Sequence, residues 1–374
     1  MKFSLTPEQE DLAQVLSSYL DDRAPLTTTR ALLEAGTAFD PDVWHQMATA
    51  LGLQGVDVPE ALGGTGMSTV EMSIVMHEVG RRLYSGPLLA STGMALSLLL
   101  AVDAPGSLVQ SLVADVCGGR VVVAAVSDAG GAWTTSSVIT TAESAKEAWT
   151  LTGVKQLVLQ ADVADVLLVA AVLPGGTAAL FTVEPTAATV TVLESLDPTR
   201  HLCMVQFEGS PAQLVVGDAS RAIERGAQRA SVALAGESLG AARQALEAAA
   251  AYATDRRQFA QPIGVFQGVK HRLADALVDI ELATSAVYLA ACHVDADDRS
   301  QALASVPMAL RAATDALSRA ARDAVQVHGG VGFTWEYDAH LFVKRGRVSR
   351  ELLGSPAERL DALYVHGPQL ARNS

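Results

Sequence analysis

The chain has 374 residues, 49% of them hydrophobic and 18% charged, with a formal net charge of −14. That length is enough for two or three cores, and the composition excludes a disordered chain. The negative balance argues against nucleic acid, which is held by neutralising its phosphates with a basic surface.

The first residues read as a helix start rather than a leader. Thr6 suits the cap, Pro7 the first helical position, and Glu8 and Glu10 the positive end of the dipole. Helical spacing continues through Leu12, Val15, Leu16 and Leu20, and Asp40-Pro41-Asp42 opens another helix. Gly63-Gly64-Thr65-Gly66 lies in no strand–GxGxxG–helix unit, so a dinucleotide-binding βαβ fold is not expected. No apolar run reaches the roughly 18 residues of a membrane span, since the candidates break at Asp103 or at Pro174-Gly175-Gly176.

Near Val121 the character changes. Short β-prone runs at 121–126, 136–141, 149–152, 166–171, 179–183 and 188–192 predict a small antiparallel domain ending near Val216. From Ala219 four long helical segments follow, at 219–255, 265–294, 300–328 and 337–365, joined by short turns as in an antiparallel bundle. The expected architecture is mostly α with a central β-domain. Its parts are an N-terminal helical domain (1–118), a middle β-domain (119–217) and a C-terminal helical bundle (218–374). Cys117, Cys203 and Cys292 have neither zinc-ligand nor C-x-x-C spacing, and the eight histidines form no H-x-H or H-x₃-H cluster. A reducing, cytoplasmic setting without a metal site is expected.

Two segments carry the most information. One runs Arg256-Arg257-Gln258-Phe259-Ala260-Gln261-Pro262-Ile263-Gly264-Val265-Phe266-Gln267; the other is Gln326-Val327-His328-Gly329-Gly330. Together they resemble the flavin-contacting signature of the acyl-CoA dehydrogenase family, R-x-x-F-G-x-P-I-x-x-F-Q followed by Q-x-x-G-G. Ala260 stands where the family has glycine. The segment Val58-Pro59-Glu60 leading into the glycine cluster is also similar to the family's V-P-E-x-x-G-G-x-G loop.

The resemblance implies a helical domain, a β-barrel-like domain and a four-helix bundle. It implies FAD as cofactor, an acyl-CoA substrate and an electron-transfer acceptor protein. It also implies a homo- or hetero-oligomer with a related subunit, like the divergent actinobacterial α2β2 members that act on bulky side chains such as those of sterols. Arg256, Phe259, Phe266, Gln267, Gln326, Gly329 and Gly330 would then contact FAD, the arginine and glutamine reaching the cofactor of a neighbouring subunit. A guanidinium fork suits a pyrophosphate, and a glycine pair admits close backbone approach. For an isolated arginine at a helix C-terminus, the helix dipole alone would be reason enough.

The family's G-x-K-x-W-I-T-N segment is here Gly153-Val154-Lys155-Gln156-Leu157-Val158-Leu159-Gln160. Leu157 and Leu159 replace the tryptophan and threonine that cover and bond the flavin ring. The family's glutamate base falls, by gap-free counting, on Leu353, and its alternative site on Ala230. Neither can accept a proton. Glu237 is the one acid in the small apolar run 232–242, about two turns beyond Ala230 on the same helix face. It is either a desolvated general base or a buried structural acid bonded to Ser238 or to an arginine of a facing helix. His328 and Glu336 are expected to play no chemical part, and the basic run Lys344, Arg345, Arg347, Arg350 reads as a solvated helix face or as a contact for an anionic coenzyme A phosphate.

Overall fold

The computed structural model describes residues 5–128, 131–145 and 148–370. The first helices are α1 (Pro7–Arg23), α2 (Leu26–Ala35), α3 (Pro41–Thr49) and α4 (Thr69–Arg81). Thr6 caps α1 with Gln9 completing the capping box, and Ser68 and Glu71 do the same for α4. A buried π-helical segment, Leu89–Ala95, runs into α5 (Leu96–Leu99), and α6 (Ser107–Cys117) closes the helical part.

Seven strands follow: β1 (Val122–Ala125), β2 (Thr141–Ala145), β3 (Ala148–Leu159), β4 (Val166–Val172), β5 (Ala178–Val183), β6 (Thr189–Val192) and β7 (Leu202–Val216). The path β4-β2-β3-β7-β5 returns to β4 through the antiparallel β4–β5 pairing, so the sheet closes into a barrel. β1 joins β4 in parallel and β6 joins β7 at the outside. The run expected at 136–141 is a short 3-10 turn, Thr135–Ser137, and β2 starts only at its end. β7, the longest strand, was not anticipated because Gly209 and Pro211 break its β-pattern. The register of β3 against β7 shifts twice, at Leu151/Thr152 beside that interruption and again between Lys155 and Val158.

The remaining helices are α7 (Ser220–Asp255), α8 (Gln267–Asp295), α9 (Arg299–His328), α10 (Ala339–Ser349) and α11 (Pro356–Leu370). A two-strand hairpin, β8 (Arg257–Gln258) and β9 (Gln261–Pro262), separates α7 from α8. The expected fourth segment is thus two helices. The break comes at Leu353 and Gly354, with φ of 57° and 110°, which a continuing helix cannot contain.

α8 is the one described helix that passes for membrane length and mean hydropathy, although Asp275, Asp279 and Glu281 interrupt its apolar residues. Only 28% of its most apolar window is buried. Leu277, Val278 and Leu282 face outward from the chain.

α4 and α7 touch backbone to backbone. A Cβ at Gly80 would stand 2.0 Å from the carbonyl oxygen of Glu237, one at Gly240 1.8 Å from that of His77, and one at Gly236 2.6 Å from that of Ser73. Only hydrogen fits there. Gly240→Ala is therefore expected to lose about 3 kcal/mol or more in denaturant unfolding despite alanine's better helix propensity. Gly268→Ala, whose Cβ meets nothing within 4 Å, is the control and should be neutral or slightly stabilised.

Candidate active site

The helix α7 ends where Arg256 leaves helical geometry, its N–H donating to the Tyr252 carbonyl at 2.9 Å. The hairpin then turns through Phe259 and Ala260, both with positive φ (50° and 64°), as a two-residue loop whose twist suits antiparallel strands. Phe259 is 88% exposed and meets Phe266 edge-on with ring centroids 6.0 Å apart. Phe266 leads into α8, whose first residue Gln267 is exposed.

At the end of α9, Gly329 takes φ of 68° and Gly330 follows it on the surface, with Gln326 exposed one turn before. The two segments are tied together by aromatic packing. Tyr252 stacks on His328 at 4.2 Å between centroids, and Tyr337 packs edge-on against both. His328 also bonds the Ala324 carbonyl through Nδ1 at 2.7 Å. The structure thus brings the hairpin and the glycine pair into one exposed neighbourhood. Among the described residues the Arg256 side chain has no hydrogen-bond or ion-pair partner.

A cleft of about 250 Å³ lies on another side, between the loop Ala132–Thr134, α7, the start of α9, the Leu353–Gly354 turn and α11. It continues past Trp133, Thr134, Gln228 and Leu303 into a larger opening of about 820 Å³. Leu353, the position counted from the family's glutamate, lines the smaller cleft. The loop is fixed from below by Asp128, which accepts from the N–H groups of Ile139 (2.8 Å) and Thr140 (3.1 Å) and pairs with buried Lys155 at 2.7 Å. Burial pulls the Lys155 ammonium down to about 8 against the pull of Asp128. Leu157 sits half-buried in a bulge with φ of 54°, and Leu159 is buried in the core. Trp133, Gln228, Arg359 and His366 were not foreseen. Only Trp133, an aromatic in a Gly-Ala-Trp-Thr loop, gave a local signal.

Glu237 lies away from this cleft, at the α4–α7 crossing. It is 3% exposed, and both its oxygens are taken. Arg345 Nη1 donates to Oε1 at 2.9 Å, and Arg200 Nη2 donates to Oε2. Arg345 Nε also reaches Asp197 at 2.7 Å, and Arg200 Nη2 reaches Ser349 at 3.0 Å. Ser238 instead donates to the Leu234 carbonyl. Of the two readings of Glu237, this geometry is that of the paired structural acid. Arg345, expected on a solvated face, is 1% exposed, because it turns inward to Asp197 and Glu237 while Lys344 lies over Trp335 and Arg350 pairs with Asp315. Among the described residues no group of three or more His, Cys, Asp or Glu is placed to hold a metal.

Removing one charge from this cluster leaves two guanidinium groups against one carboxylate. Glu237→Gln should therefore lose about 3–5 kcal/mol in equilibrium unfolding. Ala260→Gly should gain about 1 kcal/mol, because an L-residue is strained in the left-handed region, and leave the midpoint slope unchanged.

The profile described as "Acyl-CoA dehydrogenase, N-terminal domain" matches residues 6–108, and "Acyl-CoA dehydrogenase, C-terminal domain" matches 220–361. The acyl-CoA dehydrogenase IpdE2 of Mycobacterium tuberculosis is 31% identical over 361 residues, which is 96% of this chain and 98% of that protein. Among solved structures, the ChsE4-ChsE5 complex from Mycobacterium tuberculosis superimposes with a TM-score of 0.86 at 28% identity, covering 99% of each chain. A Tcur3481-Tcur3483 steroid ACAD variant gives 0.84 at 26% identity over 98% of this chain and 99% of that one. Matched by profiles at both ends and by relatives along almost its whole length, the chain belongs to the acyl-CoA dehydrogenase family.

Proposed function

We propose that the chain is a subunit of an FAD-dependent acyl-CoA dehydrogenase, introducing an α,β double bond into an acyl-CoA thioester within an oligomer. The observation that carries this reading is the exposed, unpartnered Arg256 beside the Phe259 tip and the Gly329-Gly330 turn. These residues fit the cofactor. A guanidinium without a protein counter-ion suits a pyrophosphate, exposed Gln267 and Gln326 supply amide donors and acceptors, and the glycine pair lets a ligand lie against backbone. When bound, the flavin supplies the hydride acceptor. The chain's own residues bind and orient it from an open face, which suits a cofactor shared with a neighbouring subunit. The outward apolar stripe of α8, with Leu277, Val278 and Leu282, is a surface such a subunit would cover.

A second reading has its own support. Leu353 and Ala230 carry no carboxylate, and the Glu237 carboxylate is neutralised by two arginines. On this reading the proton acceptor belongs to a related subunit, and this chain completes that subunit's FAD and substrate site. ChsE4-ChsE5, similar in structure, is itself a complex of two differently named proteins.

Arg256→Ala should lower flavin affinity about tenfold to a hundredfold with helical signal retained, read from bound-flavin absorbance of the purified assembly. Unchanged flavin content would remove Arg256 from the cofactor site. Anaerobic addition of acyl-CoA then separates the two readings: bleaching of flavin by this chain alone supports a self-sufficient enzyme, and bleaching only after a related subunit is added supports the completing role.

A further inference from the structure

The cleft beneath Trp133 holds buried polar nitrogens that the fold leaves unpartnered. Arg359 is 4% exposed, and its Nη2 donates to the Leu352 carbonyl at 2.6 Å. Its Nε is buried without a partner, as are Gln228 Nε2 and His366 Nδ1, and all three residues line the same cleft. No carboxylate pairs with Arg359 within 4 Å among the described residues. Glu358, which also lines the cleft, accepts from the Ser355 N–H through Oε2 at 2.6 Å, and Asp315 is shared by Arg350 and Arg311. Burial pulls the Arg359 guanidinium down to about 10, so it remains charged at neutral pH. A buried cation whose nearest carboxylates, Glu351 among them, make no ion pair with it, beside an idle amide donor and an unpartnered ring nitrogen, is costly unless an anion completes it.

Much of the remaining wall is apolar, with Leu303, Val306, Leu310 and Leu353 beside Thr134 and Ser231. We propose that this cleft takes an acyl group bearing a second carboxylate remote from the thioester, with Arg359 and Gln228 as the residues that recognise it. A ligand with an apolar body and one anionic end matches the cavity's two kinds of wall. A coenzyme phosphate fits it less well. It is strongly hydrated, and the arginines of the larger opening, Arg221, Arg225 and Arg299, are already paired with Asp103, Asp297 and Glu224. The proposal rests on the acyl-CoA reading for the ligand's other end, but its recognition step does not.

The test titrates the full-length protein in its native assembly by calorimetry with glutarate, adipate and pimelate. Hexanoate, inorganic phosphate and free coenzyme A serve as comparators, and adipoyl-CoA is then compared with hexanoyl-CoA. At least one dicarboxylate is expected to bind where hexanoate does not, and adipoyl-CoA to bind about tenfold or more tightly than hexanoyl-CoA. Arg359→Gln and, independently, Gln228→Leu should each erase that preference. Gln228 Nε2 has no protein partner to lose, so the second variant keeps the test valid if the first unfolds. Arg359-dependent binding of phosphate or coenzyme A equal to that of the dicarboxylates would overturn the proposal in favour of a phosphate site. Equal binding of the two thioesters, unaffected by either variant, would overturn it while leaving the acyl-CoA reading intact. Dicarboxylate binding with no binding of either thioester would uphold the recognition site and count against the acyl-CoA reading.

Discussion

Two arginines and two carboxylates are buried together where three parts of the chain meet. Asp197 and Arg200 come from the segment between β6 and β7, Glu237 from the middle of α7, and Arg345 from α10. The charges balance, and Thr199 and Ser349 take up further donors. Such a cluster adds little net stability, because desolvation cancels most of the attraction. Its effect is on register. Sliding α10 by one turn, or tilting the barrel against α7, would leave a buried charge unpaired at a cost of several kcal/mol. The glycine contacts between α4 and α7 act in the same direction, since backbone touching backbone leaves no room for a second arrangement. α10 leads directly into the Leu353–Gly354 turn and α11, so the far wall of the cleft takes its position from this cluster.

How much of this was readable in advance depends on how local each cause is. Helix starts were legible because Thr6 and Pro7, or Asp40 and Pro41, act within one turn. The end of α7 before Arg256 and the glycine turn after His328 were legible for the same reason, but the intervening β8–β9 hairpin was not. β7 was not, because its Gly209 and Pro211 read as a loop, while the pairing that keeps it extended comes from β3, β5 and β6. Nor was the break between α10 and α11, since a leucine gives no sign of a left-handed backbone before the turn is built.

The acid at 237 marks the same boundary more sharply. Its isolation in an apolar helix foretold its burial, yet its partners lie 37 and 108 residues away. Periodicity within α7 carries no trace of them. Arg345 was hidden in the opposite way. Its neighbours in sequence are surface cations, and only the docking of α10 turns this one inward. The residues of the small cleft share that difficulty, since Gln228 and Arg359 stand on α7 and α11 and meet only in three dimensions.

The arrangement also bears on where proton transfer takes place. For Glu237 to act as a base it would have to protonate, leaving Arg200 and Arg345 facing Asp197 alone in a sealed interior. The penalty that holds the cluster together would oppose each catalytic cycle. The α4–α7 crossing beside it is made of backbone touching backbone. The residues proposed to contact the cofactor, Arg256, Phe259, Gln267, Gln326 and the glycine pair, lie on an exposed surface. A rigid, charge-locked interior beside an exposed binding face is what a subunit requires if it presents a cofactor surface to a neighbour and leaves proton abstraction to it.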